Sequence, residues 1–197
     1  MFNIFGFYKF KKLNNLKKLK NRLENNLKDY EIRGTIIISP EGVNGTISDK
    51  KNNLLKFNKL LKKILSIKKF NSENNSNSKF NPFHKLKIKI KKEVVPMGFK
   101  VRNYNYPKNN LNPREWNKII KKKDTVLIDA RKSFEYDVGT FKKSLNPNIE
   151  NFREFPKYLN QFKNSENIAM FCTGGIRCEK ANIYLKKKGF KNVYVLK

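Results

Sequence analysis

The order of the periodic apolar segments in the first half of the chain limits its fold more than any other feature. Segments in which apolar residues alternate predict strands, and segments in which they recur every three or four residues predict helices. In chain order these are a strand at 2–10, a helix at 13–27, strands at 33–39 and 46–48, a helix at 54–65 and a strand at 86–95. This order predicts a ferredoxin-like split β–α–β unit, an α+β fold.

The segments that connect these elements are rich in turn-forming or polar residues. Residues 40–45, with the sequence Pro-Glu-Gly-Val-Asn-Gly, predict the turn of a hairpin between the second and third strands. Residues 71–79 are mostly Asn and Ser, so we expect a mobile loop between the second helix and the last strand.

The second half of the chain follows a different pattern, in which short apolar strands alternate with helices. These are a helix at 113–120, a strand at 125–129, a helix at 154–162, a strand at 168–171, a helix at 178–187 and a strand at 193–196. Such alternation is typical of an α/β domain with a mainly parallel sheet. Since residues 96–111 lack periodicity, the sequence predicts a domain at 1–95, a linker at 96–111 and a second domain at 112–197.

The chain is strongly basic, with 45 Lys and Arg residues against 16 Asp and Glu, a formal net charge of +29. Lys accounts for 38 of the 45 basic residues. A polyanionic partner such as nucleic acid would favour this charge. Lys, Asn and Ile also have A/T-rich codons, so drift of the genome toward A/T would produce the same composition. Composition alone leaves both explanations open.

Several classes of protein are excluded by simple counts. No apolar run approaches the roughly 18 to 20 residues that span a bilayer, so we expect no membrane segment. The N-terminus lacks the features of a secretory signal, and we expect a cytoplasmic protein. Two Cys and one His exclude a disulfide scaffold and a four-ligand zinc module.

The stretch most informative about chemistry is Phe171 to Lys180, between a predicted strand and a predicted helix. Cys172 is the first residue beyond the strand, at the edge where ligands bind in open α/β sheets. Gly174 and Gly175 allow backbone N–H groups to turn inward, and the helix N-terminus and Arg177 add positive potential. We therefore expect a lowered pKa and a reactive thiolate at Cys172. The alternative is a small buried apolar side chain.

The spacing Cys172-x-x-Gly175-x-Arg177 resembles the active-site loop of rhodanese-like domains, whose Cys carries a persulfide. Three upstream segments resemble a second signature of these domains: Asp129-Ala130-Arg131, Glu135 and Gly139-Thr140-Phe141. The loop of Cys-x5-Arg phosphatases is the nearest competitor, but it needs Arg six positions after Cys. That position holds Cys178, and Arg177 gives a shorter loop that suits sulfur better than phosphate.

Motifs spread over nearly the whole chain narrow the resemblance to one family. They are Tyr8-Lys9-Phe10, Arg33-Gly34-Thr35 with Glu41 to Thr46, Lys92 to Val95, Asn151 to Pro156 and Cys172 to Lys180. Together they resemble the bacterial oxygen-dependent tRNA uridine hydroxylases, which join an acylphosphatase-like, ferredoxin-type domain to a rhodanese domain. The implied fold is therefore α+β in the first domain and α/β with a mainly parallel sheet in the second.

The resemblance implies an oxidoreductase that converts the wobble uridine of certain tRNAs to 5-hydroxyuridine. Molecular oxygen is the implied co-substrate, no cofactor or metal is apparent, tRNA is the implied partner, and we expect no protein partner. Cys172 is the implied catalytic residue, as a persulfide intermediate. The loop around it consists of Thr173, Gly174, Gly175, Ile176, Arg177 and Cys178. Since the family continues beyond the point where this chain stops, the resemblance predicts a rhodanese-like domain that is incomplete at its C-terminus.

Two other functions remain open. One is a sulfurtransferase that passes sulfur from a Cys172 persulfide to a thiol or a tRNA base. The other is a tRNA-binding protein without catalytic activity.

Individual side chains also have alternative roles. Cys178 either resolves an oxidised Cys172 or packs at the start of the helix. Arg177 either pairs with a carboxylate such as Glu135 or faces a tRNA phosphate. Tyr104 and Tyr106 are candidates for stacking on an unpaired anticodon base.

Other side chains have structural interpretations. We expect Asp129 to order the neighbouring loop, Trp116 and Phe155 to lie in the core, and His84 to be an ordinary surface residue.

Overall fold

In the computed structural model, which describes residues 1–28, 30–104 and 109–197, the chain divides into two units. The first is Met1–Val94 and the second is Val95–Lys197. The elements of the first unit are β1 (Phe2–Phe10), α1 (Leu16–Leu27), β2 (Arg33–Ser39), β3 (Gly42–Asp49), α2 (Lys51–Leu65), β4 (Ser72–Ser78) and β5 (Leu86–Ile90).

The five strands of the first unit form one sheet in the order β4-β1-β3-β2-β5. Only the β2–β5 pair is parallel; the other three pairs are antiparallel. Leu23 of α1 and Phe57 of α2 are completely buried against Ile36 and Ile47 of the sheet. The apolar stripe of each helix therefore covers the same face of the sheet, and the α+β prediction for this unit is confirmed.

The prediction of a mobile loop at residues 71–79 was wrong. Residues 72–78 form β4, which pairs antiparallel with β1 from Tyr8↔Ser72 to Phe2↔Ser78. The sequence pattern missed this strand because its side chains are exposed or half-exposed, whereas its pairing uses backbone groups that any residue supplies. The predicted last strand at 86–95 ends at Ile90 and forms β5, a fifth strand at the opposite edge of the sheet.

The predicted turn at 40–45 was also too long. Strand β3 begins at Gly42, and only Pro40 and Glu41 separate it from β2. The glycines serve close packing between strands instead. A side chain at Gly45 would meet the Phe7 ring at 2.6 Å, and one at Gly42 would lie 2.0 Å from the Lys9 carbonyl oxygen.

Replacing Gly34 with alanine is expected to destabilise the first unit by about 2 kcal/mol or more. Gly34 has a φ of 128°, and a Cβ there would lie 2.2 Å from the backbone oxygen of Thr46. Hydrogen exchange of the β2 and β3 amides should then accelerate about thirty-fold.

The matched control is Gly6→Ala in β1 of the same sheet, where the added Cβ would have its nearest neighbour at 3.8 Å. Equal exchange rates in the two variants would contradict the steric argument.

The second unit contains β6 (Asn110–Leu111), α3 (Pro113–Ile119), β7 (Thr125–Asp129), α4 (Ser133–Val138), a 3-10 turn (Phe152–Glu154), α5 (Phe155–Leu159), β8 (Asn167–Phe171), α6 (Ile176–Lys187) and β9 (Val193–Leu196). Its four strands form a sheet in the order β6-β9-β8-β7, and all pairs are parallel. The predicted α/β class is confirmed. Helix α4 was not predicted, and the predicted helix at 154–162 is the 3-10 turn followed by the short α5.

Two expectations about the core of this unit are confirmed, since Trp116 and Phe155 are 1% and 0% exposed. Met97 also belongs to this core, where it packs with Ile128 and Val195. Each helix in the described ranges is too short or too polar to cross a bilayer.

Candidate active site

Cys172 lies immediately beyond the carboxyl end of β8, at the start of the loop that leads into α6. Gly175 ends this loop with a φ of 82°, a left-handed conformation that glycine adopts without a steric penalty. The Cys172 sulfur accepts hydrogen bonds from the backbone N–H groups of Arg177 and Cys178 in the first turn of α6. The side chain therefore sits where the helix presents its unpaired N–H groups.

These surroundings lower the pKa of Cys172 to about 6. The largest cause is a hydrogen bond from the Cys178 side chain, and burial opposes it. The positive charge of Arg177 and the two backbone N–H groups lower the pKa further. At neutral pH Cys172 is therefore mainly a thiolate, as the sequence predicted.

Cys178 has the opposite character. Its side chain is completely buried in the core of the second unit. Burial, followed by its hydrogen bond to Cys172 and the negative charge there, raises its pKa well above the ordinary value. Cys178 therefore remains a thiol and donates its proton to a hydrogen bond with the Cys172 thiolate.

Glu135 of α4 connects this loop to the rest of the site. Its carboxylate lies 3.6 Å from Arg177 Nη1 and accepts a 2.7 Å hydrogen bond from Thr173 Oγ1. Burial raises the pKa of Glu135, but the hydrogen bonds from Thr173 and the Lys132 backbone, with the charge of Arg177, lower it more. Glu135 is thus an anion that orients Arg177 beside Cys172. Of the two roles considered for Arg177, the structure shows the pairing with Glu135.

A second carboxylate, Asp129 at the end of β7, orders the loop that follows β7 and that also lines the site. It is 1% exposed. It accepts hydrogen bonds from the Arg131 backbone N–H at 3.0 Å, from Arg131 Nη2 at 2.6 Å and from Thr140 Oγ1 at 2.9 Å. Arg131 Nη2 also donates to the Gly139 carbonyl oxygen at 2.6 Å. Asp129 therefore orders the loop after β7, as expected.

The loop after β7 and the Cys172 loop form the two walls of a cleft of about 370 Å³. Its lining consists of Arg131, Gly139, Thr140, Phe141, Phe171, Cys172 and Thr173. The volume falls at the lower end of the range of roughly 300 to 1,000 Å³ for small-molecule sites. Phe141 and Phe171 contact each other edge to face at 4.8 Å, and Arg131 lies 5.4 Å above the Phe171 ring. The cleft therefore combines an aromatic wall, a fixed cation and a thiolate.

The structure brings together residues that are far apart in the sequence. Because β7 and β8 are parallel neighbours, the residues after each strand meet at one edge of the sheet, and Asp129 is in register with Phe171. The hydrogen bonds of Thr140 and Thr173 to the two carboxylates were not predicted, since an isolated Thr gives no signal in one sequence. The stacking role of Tyr104 stays a prediction, and Tyr106 lies outside the described residues.

In the part of the chain that the structure describes, no group of three or more His, Cys, Asp or Glu side chains is arranged to hold a metal ion.

Comparison with known proteins agrees with this division into units. The family model described as "UPF0176 acylphosphatase like domain" matches residues 2–94, and the rhodanese-like domain model matches residues 112–197. A solved rhodanese-related protein from Thermoplasma volcanium is 21% identical and matches 45% of this chain and 83% of its own, with a TM-score of 0.39.

Two curated relatives align over almost all of this chain. The tRNA uridine(34) hydroxylase of Pelagibacter ubique (strain HTCC1062) is 62% identical over 197 residues, which cover 100% of this chain and 65% of the relative. The protein of the same name from Legionella pneumophila (strain Corby) is 41% identical, over 98% of this chain and 77% of the relative.

The fold and the site thus define a rhodanese-like protein with an N-terminal acylphosphatase-like domain. The chain belongs to the tRNA uridine(34) hydroxylase family. It spans 65% of the length of its Pelagibacter relative.

Proposed function

We propose that the chain acts on tRNA and hydroxylates the wobble uridine to 5-hydroxyuridine, with molecular oxygen as co-substrate and Cys172 as the active-site residue. The observation that carries this proposal is a thiolate with a pKa of about 6 at the mouth of a cleft, in a chain that is 62% identical to a tRNA uridine(34) hydroxylase. A thiolate is the nucleophilic form of cysteine, and this one is available at neutral pH.

Each wall of the cleft has a separate task in this proposal. Phe141 and Phe171 give one side of the cleft an apolar surface against which the pyrimidine would pack. Arg131 is held by Asp129 and Gly139, so its charge stays fixed beside that wall. The hydrogen bond from Cys178, together with Arg177 and the backbone N–H groups of α6, keeps Cys172 ionised while the base is bound.

The same loop also supports a second candidate, a sulfurtransferase. The Cys172 thiolate would attack the outer sulfur of a donor such as thiosulfate, the S–S bond of the donor would break, and sulfite would leave with the electron pair of that bond. The product is a persulfide anion on Cys172. The observation that favours this reaction is the pair of backbone N–H groups, from Arg177 and Cys178, that bind Cys172 and would stabilise that anion as they stabilise the thiolate.

Nucleoside mass spectrometry of tRNA tests the proposal. Cells that lack this gene are complemented with the wild-type gene, with a Cys172→Ser variant or with an Arg114→Ala variant as a control for expression. We expect 5-hydroxyuridine to be absent from the deletion strain, restored by the wild type and by Arg114→Ala, and not restored by Cys172→Ser.

The other functions give different outcomes in the same experiment. Loss of a thiolated nucleoside, with 5-hydroxyuridine unchanged, would show a sulfurtransferase. Unchanged nucleosides together with tRNA binding by the purified protein would show a binding protein without this chemistry. Either result would overturn the proposed hydroxylation.

A further inference from the structure

The face of the first sheet opposite α1 and α2 has an unusual composition. One row of paired residues crosses all five strands: Asn74 of β4, Gly6 of β1, Thr46 of β3, Thr35 of β2 and Lys87 of β5. Each of these residues is exposed or half-exposed. Small polar side chains thus leave a shallow surface that ends in a cation; we call it the open face.

No acidic side chain from the strands lies on the open face. Asp49 and Glu73 are the only acidic residues in β1 to β5. The Asp49 carboxylate accepts hydrogen bonds from the Lys50 backbone and the Asn53 side chain at the start of α2. Glu73 pairs with Lys62 of α2 at 2.7 Å. Both carboxylates therefore lie on the helix-covered face, and the strands contribute no negative charge to the open face.

The positive charge is concentrated at the β5 edge. Residues 85–92, which contain β5, include five Lys residues and no Asp or Glu. Lys85, Lys87 and Lys89 are all exposed, and the latter two pair with Thr35 and Ile37 of β2. An unbroken row of cations beside a polar surface complements a chain of phosphates.

A cavity of about 360 Å³ opens at this edge, lined by Thr35, Phe83, His84, Lys85 and Lys87 among others. The segment that forms its wall is held in place, because Asn81 Oδ1 accepts hydrogen bonds from Ser48 Oγ and from the Phe83 backbone N–H. Phe80 lies earlier in the same segment, which connects β4 to β5, and it is 71% exposed. Exposed aromatic rings beside cations are the combination by which proteins bind single-stranded nucleic acid.

We propose that the open face and its cavity bind a single-stranded segment of RNA, with phosphates on Lys85 and Lys87 and bases against Phe83 and Phe80. This inference rests on the proposed function, since it assigns a tRNA-binding surface to the first unit. An acidic polypeptide would pair with the lysines but would leave the exposed Phe80 ring and the Phe83 side of the cavity without a partner. RNA can contact all three features, with phosphates on the lysines and bases on the Phe80 ring and in the cavity.

Charge reversal in the full chain tests the surface. The Lys85→Glu/Lys87→Glu double variant is compared with Lys56→Glu/Lys59→Glu, which changes the net charge equally but lies on exposed positions of α2. For binding to tRNA and to an isolated anticodon stem-loop, we expect the first variant to raise Kd at least about tenfold and the second less than about threefold. The slope of log affinity against log salt should become shallower by about 1 to 2 for the first variant only.

Aromatic stacking is tested by a second, milder change. Phe80→Ala should raise Kd about fivefold or more. Leu55→Ala, which removes another exposed apolar side chain from α2, should leave Kd unchanged. Photo-crosslinking of the wild-type protein to tRNA, followed by peptide mass spectrometry, should label the peptide that contains residues 79–87.

The outcomes separate this inference from the proposed function. If the wild type hydroxylates tRNA while both double variants bind it equally, the surface is wrong and the function stands. If the wild type binds no tRNA, the proposed function fails first. Equal competition by poly-glutamate and poly-uridine for binding to the open face would show an acidic-polypeptide site and would overturn the RNA assignment.

Discussion

Alkylation of Cys172 by iodoacetamide is expected to reach half of its maximal rate near pH 6, because the pKa of this thiol is lowered to about 6. Only the thiolate reacts, so the rate should fall as the pH drops below that value and should be nearly constant above pH 7. About 90% of Cys172 would be ionised at pH 7, against about 3% of a cysteine with the ordinary pKa near 8.5. Peptide mass spectrometry over a pH series measures the rate for each cysteine separately.

Two variants identify the cause of the shift. Cys178→Ala removes the hydrogen bond that contributes most to the low pKa of Cys172, and the midpoint should rise by about 1 pH unit or more. Cys178→Ser keeps a donor of similar size and should retain most of the effect. An unchanged midpoint in Cys178→Ala would show that Arg177 and the backbone N–H groups are sufficient.

Cys178 itself provides an internal control for accessibility. It is completely buried and its pKa is raised well above the ordinary value, first by burial. It should therefore remain unlabelled in the native protein at every pH at which Cys172 reacts. Labelling of Cys178 at neutral pH would show that the first turn of α6 opens.

Replacing Arg131 with alanine is expected to destabilise the second unit by about 3 to 5 kcal/mol, because it leaves the buried Asp129 carboxylate without its cation. Trp116 is the single tryptophan of the chain. It packs against Phe171 and Phe141 close to this pair. Urea unfolding followed by Trp116 fluorescence therefore measures the free energy of unfolding of this unit. Arg114→Ala, an exposed arginine of α3, should change it by less than about 0.5 kcal/mol.

The difference in the free energy of unfolding between the wild type and Arg131→Ala should become smaller in acid. Burial raises the pKa of Asp129, but its hydrogen bonds from Arg131 and Thr140 lower it more, so the net shift is downward. A carboxyl group with a lowered pKa stabilises the folded state above the unfolded pKa of about 3.9, and this contribution is lost as the pH falls through the folded value. A gap that stays constant down to pH 3 would show that packing of the Arg131 side chain, and not the ion pair, accounts for the loss.

Arg131 also lines the cleft, so its loss should affect more than stability. Its guanidinium is fixed by Asp129 and by the Gly139 carbonyl oxygen, on the wall opposite the Cys172 loop. Its replacement should leave the pH midpoint of Cys172 alkylation close to that of the wild type, since Cys178 and Arg177 provide the main interactions there. Alkylation therefore reports mainly on the Cys172 loop, and urea unfolding reports mainly on the Asp129–Arg131 pair.

Elements with a strong apolar pattern could be predicted from the sequence. Strands β1, β2 and β7 begin and end at the predicted residues. Alternating apolar and polar residues, or a short apolar run between turn residues, favour a strand because a sheet can bury these apolar side chains. The Cys172 loop could also be predicted, since the residues that form it are contiguous in the sequence. Strand β4 was not, because an edge strand of Ser and Asn is held by backbone pairing that leaves no apolar pattern.

The residues that surround Cys172 could not be predicted in this way, because they come together only when the strands pair. The parallel pairing of β7 with β8 brings Glu135 to Arg177 and Thr173 across 38 or more positions of sequence. Strand pairing in the first sheet likewise places the lysines of β5 on the same open face as polar residues of β2 and β3. Asp49 and Glu73 lie on the opposite, helix-covered face. The composition gives the net charge of the chain. The attraction of a partner depends on which face carries that charge, because electrostatic attraction to phosphates acts over short distances in salt.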